Sequence, residues 1–155
     1  MRALVLSLAV AIAVGAPPAS AAVGIYCAAS DDVLKLSIES GFSARDGRKL
    51  VHFRGIADVL AEKAPAAFHN LKLNSGMLKQ SWVDNDELRL QIYTDTRSAE
   101  PFEIFELSIL TTASGKNPHR LTGRYLLRLS AADTKKTAPR DIVLSHEAAV
   151  FCDIK

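Results

Sequence analysis

The 155-residue chain is poor in the features that announce a function. It has two cysteines and one tryptophan, and aromatic residues make up only 6% of it. Nineteen basic residues stand against seventeen acidic ones, so no broad positive field exists to gather nucleic acid, and DNA- and RNA-binding modules are set aside. No apolar run reaches the roughly 20 residues of a membrane-spanning helix. A Gly-x-Ser-x-Gly elbow, a His-Glu-x-x-His helix, a phosphate-cradling glycine loop and a Cys-x-x-Cys pair are all missing. The histidines His52, His69, His119 and His146 are scattered, with no local ligand spacing. The residues therefore assign no catalytic, cofactor or metal position. Hydrolysis would need a histidine, a carboxylate and a hydroxyl to converge in a cleft. What is present, 48% apolar and 23% charged residues, suits one packed domain and not a disordered chain.

The first residues are the clearest address. Arg2 precedes an apolar run from Ala3 to Val14; Gly15 and Pro17-Pro18 break it, and Ala19-Ser20-Ala21 offers the small residues of a cleavage site. This pattern predicts a secretory signal peptide over 1–21, cut after Ala21, and a periplasmic or secreted product. Residues 22–155 then form a single β-domain of 134 residues, nearly neutral once Arg2 is gone.

In an oxidising compartment Cys27 and Cys152 are expected to form a disulfide. Closing so long a loop is worth about 4.7 to 5 kcal/mol in the chain-entropy model. It also requires the first and last strands to lie side by side or to face each other across the core.

Periodicity sets the fold class. Leu34, Leu36, Ile38, Ser40 and Phe42 alternate with polar residues, and Val51, Phe53, Gly55, Ala57 and Val59 do so after Asp46-Gly47, which predicts a hairpin. Leu78 to Val83 and Leu88 to Tyr93 flank the turn Asp84 to Glu87, whose carboxylates turn formation explains. Phe102 to Thr112 and Leu121 to Ala131 flank a loop at 113–120, and a last strand runs from Ile142 to Cys152. Short strands are expected around Cys27 and at Leu71 to Leu73; Asp58 to Ala64 reads equally as helix or loop. The sum is an all-β domain, a small antiparallel barrel or sandwich of seven to nine strands, and bridged termini favour barrel closure.

Two surface features suggest a partner. Arg120, Arg124 and Arg128 share a strand face beside Lys116 and His119, with Glu103 and Glu106 on the neighbouring strand as available counter-charges. The strand 102–110 is apolar on both faces, with Ile104 and Leu110 on the side opposite Phe105, Leu107 and Ile109. Such a strand needs a cover. The segment Asp58 to Leu73 is the simplest one; a second copy of the chain, making a homodimer through 102–110, or a partner protein are the others. Trp82, at a strand end, is either packed in the core or an anchor on a binding surface.

These features point to an exported, non-enzymatic β-domain that binds a protein or envelope component. A signal-bearing β-barrel clamped by Cys27 and Cys152 resembles, in general architecture, the periplasmic inhibitors of host lysozymes. The resemblance implies lysozyme binding and carries no loop motif onto particular residues. Carriage of a small apolar ligand is the further alternative, unless Phe53, Phe105, Tyr125 and Leu127 fill the barrel.

Overall fold

The computed structural model describes residues 23–84, 86–97, 102–115, 117–132 and 141–155. The expected signal segment and Lys116 lie outside them. The chain forms β1 (Gly24–Ser30), β2 (Leu34–Phe42), β3 (Leu50–Val59), a 3-10 turn (Ala66–Phe68), β4 (Leu71–Asn74), β5 (Leu78–Asp84), β6 (Glu87–Asp95), β7 (Phe102–Ser114), β8 (Asn117–Ala132) and β9 (Asp141–Ile154). The nine strands make one antiparallel sheet, ordered β4-β3-β2-β1-β9-β8-β7-β6-β5 and curled into a nearly closed barrel. Among the described residues no helix is long and apolar enough to cross a membrane.

The pairings reveal how the barrel nearly closes. Every pairing is antiparallel, so β4 runs opposite to β1 when counted through β2 and β3. Counted the other way, through β9, β8, β7 and β6, β5 also runs opposite to β1. Thus β4 and β5 point the same way. They are two halves of one stave, which pairs with β3 first and with β6 after the turn at 75–77. Counted so, the barrel has eight staves, a size whose interior side chains can fill.

Period-two alternation drives the packing. Leu34, Leu36 and Ile38, then Leu88, Leu90 and Ile92, then Phe105, Leu107 and Ile109, all point inward and are buried. Phe53, Tyr125 and Leu127 join them, so the large inward side chains occupy the interior. Cys27 and Cys152 are directly opposed in the β1–β9 register, bonded and fully buried, with Cα atoms 4.0 Å apart. The expected staple therefore ties the sheet across the junction of its first and last strands.

Three local expectations are revised and one left open is decided. Asp46-Gly47 does not make a two-residue hairpin: Gly47 stays out of the left-handed region, and Ser43 and Lys49 bridge a longer loop around an Asp46–Lys49 turn. Between Glu39 and Gly41 the β2–β3 register shifts, and His52 opposite takes φ 57°; this bulge lets Leu50 and Phe53, three residues apart, both face inward. Asp58 to Ala64 is the end of β3 and a loop, with no α-helix. The loop expected at 113–120 is shorter, with a turn at Gly115, φ 44°, because Asn117 to Arg120 belong to β8.

The cover for β7 is also different from the simplest expectation. The segment after β3 folds under one end of the barrel, where Ala64 and Phe68 are buried and the Phe68 ring lies 5.6 Å from that of Phe105. It meets the inward face of β7 and leaves Leu110, on the outward face, 40% exposed.

Candidate functional site

Strand register builds a continuous outward face across β5, β6 and β7. Trp82 opposes Arg89, Arg89 opposes Leu110, and Leu110 opposes Arg124 on β8. The neighbouring row runs Gln80, Gln91, Ser108 and Leu126. Residues two apart on a strand share a face, so both rows look outward. Trp82 is 58% exposed on a strand that pairs only with β6. Core packing of this indole, one of the two sequence readings, is not what the fold does with it.

A cleft of about 780 Å³ lies over these rows, with Trp82 and Leu110 among its walls and Arg89, Gln80, Gln91 and Ser108 among its lining. Among the described residues, its only charged lining side chains are Lys79 and Arg89. Lys79 Nζ donates to the Gly76 carbonyl at 2.7 Å, and Arg89 Nη2 donates to Glu87 Oε2 at 2.7 Å. Each cation keeps further N–H donors, since an ammonium carries three and a guanidinium five.

The remaining surface candidates divide. His119, Arg120, Arg124 and Arg128 are exposed on β8. The described ion pairs of this stripe run to β9: Arg124 meets Glu147 at 3.1 Å, and Arg120 lies 3.7 Å from Asp153 and 5.0 Å over the Phe151 ring. Toward β7, Glu106 faces Arg128 in register, whereas Glu103 faces Ala131. Arg124 continues the Trp82 row; Arg120 belongs to a separate row of the same outward face, running the other way through Asp153, Tyr26, Glu39 and Arg54. Ile104 is only 1% exposed, so it offers no surface to a partner.

One constellation escaped the sequence reading. Asp31, in the β1–β2 turn, receives a hydrogen bond from the Tyr125 hydroxyl on β8, and His146 Nε2 of β9 lies 3.5 Å from its other oxygen. The Val33 and Leu34 amides also donate to Asp31. Burial pushes the Asp31 carboxyl upward, but the bonds from Tyr125, Val33 and Leu34, with His146 nearby, outweigh it and hold the group below its ordinary range. Burial, then the bond to Asp31 and its charge, push the Tyr125 phenol well above its usual value. A histidine, a carboxylate and a hydroxyl do meet here. The hydroxyl is fully buried and its proton is held more tightly, the opposite of an activated nucleophile. The cluster acts as a clamp that ties the β1–β2 turn to β8 and β9.

Among the described residues, no group of three or more His, Cys, Asp or Glu side chains is placed to hold a metal ion. Comparison with protein-family models, curated proteins and solved structures finds no match.

Proposed function

We propose that this protein is an exported, non-enzymatic binding domain that engages a cell-envelope partner through the outer face of β5, β6 and β7. One observation carries the reading: the sole tryptophan stands 58% exposed at the edge of the sheet, beside an open cleft and one register step from Arg89. Exposing an indole forgoes the stabilisation its burial would bring, about 1.5–3 kcal/mol for a large apolar side chain. Tryptophan and arginine are the residues over-represented where binding energy concentrates. Filled inward positions support a ligand outside the barrel over one within it. The export pattern at 1–21 and the Cys27–Cys152 bridge support a periplasmic or secreted location.

The test immobilises the protein and measures retention of components from an envelope extract of the producing cell. Trp82→Ala and Leu110→Ser should abolish that retention. Ile56→Ser, at an exposed apolar position on β3, should leave it intact. Retention equal in all variants, or absent from the wild type, would overturn the proposal.

A further inference from the structure

The polar composition of the Trp82 cleft selects among ligand classes. The core of a protein–protein patch is more apolar than its rim, with arginine the charged residue it favours; the departure from that pattern is the polar row beside Arg89. Here the position between Trp82 and Leu110 is Arg89, and the row beside it is Gln80, Gln91 and Ser108. Such a set suits a sugar ring. The axial C–H face of a pyranose stacks on an aromatic plane, while its rim of hydroxyls needs side chains that both donate and accept, which Gln and Ser supply. A volume of about 780 Å³ fits a ligand of a few sugar units.

Charge narrows the class further. Lys79 and Arg89 contribute positive charge, and among the described residues no carboxylate lines the cleft. Glu87, the partner of Arg89, is not among the lining side chains. A guanidinium binds a carboxylate through two parallel N–H donors.

Resting on the binding face proposed above, we infer that this cleft takes an anionic oligosaccharide of the envelope, one sugar ring stacked on Trp82 and a carboxylate held by Arg89 with Lys79 nearby.

Trp82 is the only tryptophan, so its fluorescence reports on this site alone. The full chain is titrated with tetragalacturonate, with uncharged cellotetraose, and with a hexaglutamate peptide. Tetragalacturonate should give a saturable change in emission, weakened by added salt. Arg89→Ala should lower the affinity about ten-fold or more and Gln91→Ala about five-fold, with melting temperatures unchanged because both sites are exposed. Binding in Trp82→Phe, followed by calorimetry, should persist, and in Trp82→Ala it should vanish.

Three results would overturn the inference: no response to tetragalacturonate, an equal response to cellotetraose, or tighter binding of hexaglutamate through the same residues. If the saccharides fail while retention of envelope components still depends on Trp82, the binding face stands and the saccharide class falls. If both fail, both proposals fall.

Discussion

The Tyr125 hydroxyl donates to Asp31 across a sequence separation of 94 residues, joining the first turn of the barrel to its penultimate strand. The disulfide joins β1 to the last strand, β9, which pairs with β8 on its other edge. The fold is thus fastened at its β1–β9 junction, while the split stave of β4 and β5 lies on the other side of the sheet order.

Removing the phenol tests the clamp. Tyr125→Phe keeps the ring in the core and deletes one hydrogen bond to an ionised carboxylate, so it should cost about 2 kcal/mol in equilibrium denaturation. Asp31→Asn should cost a similar amount. The double variant should lose clearly less than the two together, because the residues share one interaction. Simple additivity would show that the contact contributes nothing.

The same pair predicts the shape of the stability profile. Asp31 is held below its ordinary value in the folded state, so its contribution is present above an unfolded pKa of about 3.9 and disappears as pH falls through the lower folded value. Tyr125 is held above its ordinary value, so stability is complete below about pH 10 and declines as the unfolded phenol ionises. Thermal melts across pH should show Asp31→Asn flattening the acid limb and Tyr125→Phe flattening the alkaline one.

Breaking the Cys27–Cys152 bridge opens a loop whose ends are 125 residues apart. Replacing both cysteines by serine should reduce stability by several kcal/mol, up to about 5 from loop entropy, with a further cost for hydroxyls placed at fully buried positions. Replacing both by alanine isolates the entropic part. A reductant titration of the wild type should reproduce the alanine result.

Gly123 supplies a steric test. A Cβ at this position would lie 2.0 Å from the Leu110 carbonyl oxygen and 2.7 Å from Thr111 Cα, both backbone atoms that cannot swing away. Gly123→Ala should therefore destabilise by about 1–3 kcal/mol. At Gly47 an added Cβ meets nothing within 4 Å, and Gly47→Ala should stay within about 0.5 kcal/mol of the wild type.

Period-two patterning made most strands legible, down to the inward sets on β2, β6, β7 and β8, because each barrel strand has one dry and one wet face. The disulfide was legible from two positions near the chain ends. The bulge at His52 was not, since a histidine at φ 57° carries no local signal of the kind glycine gives. The split stave was also hidden, because a change of partner at 75–77 becomes visible only once strand directions are known. Trp82 was legible as a candidate, but its neighbours Arg89, Gln80 and Gln91 were not; they sit beside it through cross-strand register. Asp31 could be read as a turn residue between two strands, whereas its meeting with Tyr125 and His146 depends on barrel closure.

The site proposed here is an anionic-saccharide site on the Trp82 face of β5, β6 and β7. Amide and indole chemical-shift mapping of the labelled protein during a tetragalacturonate titration tests it most directly. Saturable shifts confined to β5, β6 and β7 are expected, largest at the Trp82 indole N–H and at Arg89 and Gln91. Shifts concentrated on β1 to β3 or on the inward-facing residues, or none at all, would contradict the proposed site.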